Sequence, residues 1–264
     1  MAKAKRSEPN PLLTRLKRGS SRLSGRAGLA AAALVCGWVW YGQLAAWSGR
    51  GGPLDPFLPY ALALCFALAL LIFLPILAAN LTATYARSAE YALVCSTPLT
   101  DAALMSAFVN ATLYRSRAFT LLALGSLPLV AAYAPLPWPG SMLIPLSSRG
   151  GLPSADVLAR WLYFAVVLEV AFVGLLRWMV SVGVVMALLI PWAAGAGLVG
   201  LLVPVVVWLS AAAYLNDASE NVVWSLAWTT ALTIVTYGLA RLTERWGGRW
   251  ARIGPNPALR DHRR

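Results

Sequence analysis

The sequence is poor in charged residues and has little histidine or cysteine. Charged residues make up 12% of the 264 positions, hydrophobic residues make up 59%, and the mean hydropathy is +0.66. A typical soluble domain carries about a quarter of charged residues, so this composition excludes an ordinary soluble fold. The three cysteines, Cys36, Cys65 and Cys95, show no CxxC spacing, which argues against a disulfide framework and against a zinc site.

The residues that most enzymes use are also scarce. The single histidine, His262, is the third residue from the end of the sequence as given, and no GxxxxGK[ST] phosphate loop occurs. We therefore expect no cofactor, no metal site and no enzymatic activity, and any ATP would be bound by another chain. A membrane-embedded enzyme acting on lipid or peptide is an alternative. It would need polar groups clustered at one depth, and the apolar runs offer only Glu169 with scattered serine and threonine.

Long apolar runs fill most of the chain. A helix needs about 20 mostly apolar residues to cross the roughly 30 Å hydrocarbon layer, and these runs are too long for the alternating strands of a membrane barrel. The sequence therefore predicts an all-α integral membrane protein with a six-helix transmembrane domain over 27–241. The expected spans are about 27–47, 57–79, 118–134, 157–176, 179–200 and 222–241.

The basic residues predict the orientation. The net charge is +12, and most of the 22 Lys and Arg residues lie in the tails 1–26 and 242–264 or in the segment 80–117. Short segments rich in Lys and Arg stay cytoplasmic, so both termini are expected on the cytoplasmic side. There the charge would meet anionic membrane lipid, and no nucleic acid partner is expected. High alanine, arginine and tryptophan contents suggest a GC-rich genome and hence a multi-pass protein of a bacterial plasma membrane.

The stretch 179–215 is compatible with more than one arrangement in the membrane. As one helix it would be roughly 55 Å long, and Pro191 and Pro204 break it. It could form two spans, or one span with a re-entrant or outer helix. Because both termini inside require an even number, we take the second arrangement. Its Gly195-Ala-Gly-Leu-Val-Gly200 motif matches a dinucleotide fingerprint, but inside an apolar run such glycines indicate close helix packing.

Glu169 is the one acidic residue near the middle of an expected span. A charge there costs about 3 kcal/mol on insertion scales, so its side chain is expected to face a partner or a water-filled path. We treat it as a candidate for a substrate, proton or gating role. The plainer alternative is a protonated or hydrogen-bonded glutamate between helices.

The segment 80–117 is more polar than the runs on either side of it. It holds Arg87, Glu90 and Asp101 yet keeps apolar residues at helical spacing. We predict two amphipathic helices at the cytoplasmic membrane surface, separated at Thr97-Pro98. Pro98 favours a turn, and Thr100 or Asp101 is suited to cap the second helix.

This segment carries a resemblance to a known family. The matching positions are Glu90, Leu93, Val94, Ser96, Thr97, Pro98, Leu99 and Thr100. They resemble the cytoplasmic segment after the second span in permease subunits of the type 2 ABC exporter family. The acidic run and Gly-Thr pair usual in that family are replaced here by Arg87-Ser-Ala-Glu90.

The resemblance implies a permease subunit driven by a separate ATP-binding subunit, with export as the expected direction. It also implies a homodimer, or a heterodimer with a related permease. The residues that would couple the chain to the ATPase are Arg87, Glu90, Thr97, Pro98, Leu99 and Asp101. The alternative function is a non-transporting membrane scaffold that anchors other proteins.

Overall fold

Apolar residues with high helix propensity dominate the chain, and the described residues fold almost entirely into helices. The computed structural model describes residues 11–18, 25–47, 57–88, 91, 99–133, 155–190, 192–217 and 222–253. Within these ranges there is no strand. The eight helices are α1 Pro11–Arg18, α2 Arg26–Trp47, α3 Phe57–Ala86, α4 Asp101–Arg115, α5 Arg117–Tyr133, α6 Ala155–Leu189, α7 Ala193–Asp217 and α8 Val222–Ile253.

Three of these helices contain stretches long and apolar enough to cross a membrane. The stretches are Arg26–Ala45 in α2, Ala61–Ala86 in α3 and Ala165–Leu189 in α6. Shorter apolar stretches lie in α5 (Arg117–Leu129) and in α7 (Ala193–Val207). The chain is therefore an all-helical protein with the lengths and composition of a membrane protein, as its sequence predicts.

Contacts between helices show that α2 and α5 run in the same direction. The Cys36 thiol of α2 donates to the Leu122 carbonyl of α5 at 3.5 Å, and one turn on, the Trp40 indole donates to the Gly125 carbonyl at 2.7 Å. Both positions advance together, so the two helices are parallel.

The helix α3 runs opposite to α5. The rings of Phe73 and Phe119 lie 5.7 Å apart. Towards the other end of the pair, Ala63 and Leu129 share one buried cluster. Contacting residues with higher numbers in α3 thus meet residues with lower numbers in α5, so the two helices are antiparallel.

A three-helix crossing joins α3, α6 and α7 through glycines. A Cβ atom on Gly200 of α7 would lie 2.8 Å from the Gly183 Cα of α6, and one on Gly197 would lie 2.9 Å from the Ile76 Cα of α3. Such distances leave no room for a side chain, so the backbones are in contact. This confirms the packing interpretation of the glycine motif. The helix α7 is antiparallel to α3, because Gly197 meets Ile76 whereas Gly200 meets Pro75. It is also antiparallel to α6, because Gly200 meets Gly183 whereas Ala196 shares a buried cluster with Ala187.

The expected boundary between the spans 157–176 and 179–200 is wrong. Arg177 and Trp178, which separate these spans, lie inside α6, which continues without a break to Leu189. The next helix, α7, begins at Ala193 and is a single helix of 25 residues. The expected spans 157–176 and 179–200, and the re-entrant or outer helix beside them, are thus replaced by two long helices. The arginine stays in the helix because Glu244 of α8 neutralises it.

Other boundaries move outward from the apolar runs. The helix α3 extends past residue 79 to Ala86, and α8 extends past residue 241 to Ile253, so the segment expected as a basic tail begins as helix. The N-terminal tail 1–26 contains α1, whose Leu12 and Leu16 are buried against the core. The expected break at Thr97-Pro98 lies outside the described residues.

Candidate functional site

The segment expected to couple the chain to an ATPase leads directly into α4. Thr100 takes an extended conformation, and its hydroxyl accepts a hydrogen bond from the Ala103 amide at 3.2 Å. This is an N-cap, as the sequence predicts. The negative charge of the Asp101 carboxylate, in the first turn, interacts favourably with the positive end of the helix dipole. Leu99 packs half-buried against the main core.

Of the remaining predicted coupling residues, the structure describes Arg87 alone. Arg87 is exposed just after the end of α3. Glu90, Thr97 and Pro98 lie outside the described residues.

An aromatic cluster fixes α4 to the end of α3. Phe108 of α4 is fully buried, and its ring lies 5.8 Å from Tyr85 and 6.4 Å from Tyr91. The two tyrosines are themselves in edge contact at 6.1 Å. Aromatic pairs at these spacings add to the free energy gained from burial, so the two helices pack as one unit on either side of the predicted coupling segment.

The first turn of α4 rests on two glycines of α8. A Cβ atom on Gly248 would lie 2.6 Å from the Asp101 carbonyl oxygen and 2.7 Å from its carbon. A Cβ atom on Gly247 would lie 2.8 Å from the Met105 methyl carbon and would overlap the Val185 Cγ2 of α6. An added Cβ atom would thus meet the Asp101 backbone at Gly248 and the Val185 and Met105 side chains at Gly247. We name this contact of α4, α6 and α8 the glycine junction.

An ion pair lies one turn before the glycine junction. The Arg177 Nε donates to Glu244 Oε1 at 2.7 Å, and its Nη2 donates to Oε2 at 3.1 Å. The glutamate side chain is 5% exposed and the arginine side chain is 24% exposed. A two-point pair of this kind fixes both distance and orientation, so it sets the register between α6 and α8.

Ser181 adds to the same pair from the next turn of α6. Its hydroxyl lies 2.8 Å from the Arg177 carbonyl, to which it donates, and 3.5 Å from Glu244 Oε1. A second cation, Arg241, reaches Glu244 only at 4.0 Å, and its side chain is 70% exposed. An exposed contact at that distance contributes little, so Arg177 is the partner that matters.

Small residues bring α6 and α8 together along the seam that holds this pair. A Cβ atom on Gly174 would lie 2.9 Å from the Tyr237 ring. Further along both helices come the Arg177–Glu244 pair and then the contact of Val185 with Gly247. The contacts advance in both helices, so α6 and α8 are parallel. The ion pair lies about 33 Å from the amino end of each helix.

The N-terminal helix α1 packs on the opposite end of α4. Arg115, the last residue of α4, donates from Nη2 to the Leu16 carbonyl at 2.9 Å. Burial lowers the pKa of the Arg115 guanidinium, and the carbonyl offsets part of that cost by accepting one hydrogen bond. The helix expected to receive force is thus held at three places: by α1, by α3 and by the glycine junction.

Glu169 lies apart from this site, in the middle of α6. Its helical neighbours Val166 and Val173 are exposed, whereas Phe172 and Leu176 are buried. Glu169 is partly buried and forms no ion pair with another described residue. The carboxyl group therefore borders an outward apolar face.

Sequence reasoning missed Glu244, Ser181 and the two glycines of the junction. One signal was present: Glu244 is the first acidic residue after Glu220, and Arg177 interrupts an apolar run without an acidic neighbour. Two isolated opposite charges in long apolar helices are candidates for each other's partner. Gly247 and Gly248 carried no such signal, because they lie in the segment 242–264, which was expected to be a cytoplasmic tail.

No family model, no curated protein and no solved structure matches the chain.

Proposed function

We propose that the chain is the membrane-spanning permease subunit of an ATP-driven exporter, energised by a separate ATPase that binds the segment 80–117. In this proposal α2, α3, α5, α6, α7 and α8 cross the bilayer. Their alternation in direction supports six crossings with both termini on one side. The basic termini favour the cytoplasmic side of a bacterial plasma membrane.

The observation that carries the proposal is the contact of the α4 first turn, at Asp101, with Gly248. The segment expected to receive force leads into a helix whose backbone touches α8 directly. Because no flexible side chain separates Asp101 from Gly248, a displacement of α4 moves α8 rather than being absorbed.

The ion pair then extends this coupling to α6. Arg177 and Glu244 hold α6 and α8 in one register a single turn from the contact with α4. We infer that the three helices respond together when the ATPase pushes on the segment before α4. Alternating access requires two arrangements of the bundle, and the parallel α6–α8 pair is the element we expect to shift as a unit.

Glu169 supports a role for α6 in the transport path. Its carboxyl group borders the outward apolar face of α6 (Leu162, Val166, Val170 and Val173), where exposure to lipid alone would be costly. A second permease copy or a related permease packed on this face would shield it. The substrate would then pass between the two subunits, close to the carboxyl group.

The direct test is purification of the tagged full chain from its native membrane, with mass spectrometry of bound proteins. We expect a co-purifying ATPase that carries a phosphate loop. Glu90→Lys and Pro98→Ala are expected to reduce its recovery, because they alter the proposed contact segment. A matched substitution on an exposed face, Arg26→Gln at the start of α2, is expected to leave recovery unchanged.

The reconstituted complex separates coupling from binding. Gly248→Ala is expected to keep the ATPase bound but to change its hydrolysis rate relative to the wild-type complex. Gly238→Ala is expected to keep the ATPase bound and to leave its hydrolysis rate unchanged. A well-folded chain that recovers no ATPase would contradict the proposal. A complex that binds other membrane proteins, with no response to Glu169→Gln, would instead favour the scaffold.

A further inference from the structure

The parallel helices α6 and α8 leave an open groove near their carboxyl ends. Its volume is about 380 Å³, and Val185, Leu242, Thr243, Trp246 and Gly247 line it. This volume lies within the range of small-ligand sites. Most of the lining is apolar, and Leu242 and Trp246 are 51% and 67% exposed. The groove can therefore take a narrow apolar chain.

A row of arginines borders the groove on α8. Arg241, Arg245 and Arg249 recur every four residues and are all exposed. Residues at this spacing lie on one helix face, next to the face that carries Leu242 and Trp246. One side of α8 thus offers an apolar groove and a basic ridge next to each other.

Neither helix stability nor ion pairing explains the whole row. The dipole of α8 acts within its last turn, and Arg245 lies eight residues before the end at Ile253. Glu244 is already bound to Arg177, and only Arg241 approaches it, at 4.0 Å. Arg245 and Arg249 therefore present positive charge outward.

The depth of the groove fits the edge of a bilayer. Leu242 lies about 30 Å along α8 and Arg249 lies about 40 Å along it. The hydrocarbon layer is about 30 Å thick, and the headgroup regions extend the total to about 40–45 Å. Trp246 lies between these levels, where tryptophan is enriched in membrane proteins. The arginines then stand at the level of lipid phosphates.

We propose that the groove between α6 and α8 binds an anionic phospholipid. One acyl chain lies against Leu242, Thr243 and Trp246, and the phosphate lies on Arg245 and Arg249. Basic pockets between helices on the cytoplasmic side are suited to anionic headgroups. The lipid would contact Gly247, so it would fill the side of the glycine junction that the protein leaves open. The proposal requires only that α6 and α8 lie in a membrane, and it is independent of transport.

The test uses the full chain purified in detergent, with native mass spectrometry and thermal unfolding. Phosphatidylglycerol is compared with phosphatidylcholine of the same acyl chains, and with inorganic phosphate. We expect phosphatidylglycerol alone to stay bound and to raise Tm. The double variant Arg245→Gln/Arg249→Gln is expected to weaken its binding about tenfold or more.

Two further variants distinguish a groove from a basic surface. Thr243→Phe fills the groove while both arginines remain, and it is expected to weaken phosphatidylglycerol binding as well. Arg26→Gln removes an exposed arginine from α2, outside the groove, and it is expected to have no effect. The proposal would be overturned if phosphatidylcholine bound as well as phosphatidylglycerol, or if inorganic phosphate raised Tm as much as the lipid does. It would also be overturned if Arg26→Gln weakened phosphatidylglycerol binding as much as the double variant does.

Discussion

The Arg177 guanidinium and the Glu244 carboxylate meet through two hydrogen bonds, of 2.7 and 3.1 Å, across the seam between α6 and α8. The residues are far apart in sequence, and each lies about 33 Å from the amino end of its helix. This pair allows both helices to continue where the sequence indicates that they should end.

Removing either partner of this pair is expected to destabilise the fold. Arg177→Met leaves the buried Glu244 carboxylate alone, and Glu244→Leu leaves the arginine alone. Breaking a buried pair costs about 3–5 kcal/mol, and we expect the lower end because Arg177 is partly exposed. Unfolding in mixed micelles measures the free energy.

The double variant and a neighbouring arginine provide the controls. Arg177→Met/Glu244→Leu is expected to cost clearly less than the sum of the single variants, because no charge is left unpaired. Arg241→Gln, which alters an exposed residue 4.0 Å from the same carboxylate, is expected to stay within about 0.5 kcal/mol. If the double variant instead lost as much unfolding free energy as the two single variants together, Arg177 and Glu244 would not act as a pair.

Gly248→Ala is expected to loosen α4 from α8. The new methyl group would lie 2.6 Å from the Asp101 carbonyl oxygen, and overpacking of this kind costs about 1–3 kcal/mol. Gly238→Ala in the same helix has nothing within 4 Å of its new methyl group. It should stabilise α8 by up to about 1 kcal/mol. Opposite signs in the two unfolding free energies are the expected result, and equal shifts would argue against the junction.

Gly200→Ala is expected to disturb the crossing of α3, α6 and α7. Its methyl group would lie 2.8 Å from the Gly183 Cα, and neither backbone can yield easily. Thermal unfolding should show a lower Tm, by roughly 2–4 °C for each kcal/mol lost. Gly37→Ala in α2, with open space around it, serves as the reference. A similar drop for both variants would mean that the loss of glycine, and not the close contact, is responsible.

Glu169→Leu is expected to make insertion of α6 into a membrane more favourable by about 3 kcal/mol. The carboxyl group lies mid-helix beside exposed valines, so its removal leaves a continuous apolar face. An insertion assay on α6 with engineered glycosylation sites measures the change. Val170→Leu exchanges one apolar residue for another and should have almost no effect. A change below about 1 kcal/mol for Glu169→Leu would show that the carboxyl group is already solvated.

The sequence alone predicts a large part of this architecture. The expected spans at 27–47 and 118–134 agree with α2 and α5 to within about one residue, because their apolar runs end at charged or turn-forming residues. The cap at Thr100 and the packing of the glycine motif follow from local chemistry and are also confirmed.

The errors come from treating each charge as isolated. Arg177 ended an expected span because hydropathy cannot show that Glu244, in another helix, neutralises it. The helical part of the N-terminal tail was missed for a similar reason. Leu12 and Leu16 have helical spacing, but the surrounding basic residues obscured it. Half of the glycine junction lay in the expected C-terminal tail, so its contact with α4 had no sequence signal.

The hydrogen bond between Arg115 and the Leu16 carbonyl has a consequence for biosynthesis. The two residues are 99 positions apart, and a ribosome adds about 5–20 residues per second. The docking site for α1 on α4 therefore emerges about 5–20 s after α1 itself. During that interval the apolar side of α1 must remain covered by the membrane surface or by another protein, so α1 is made well before it can reach its final position.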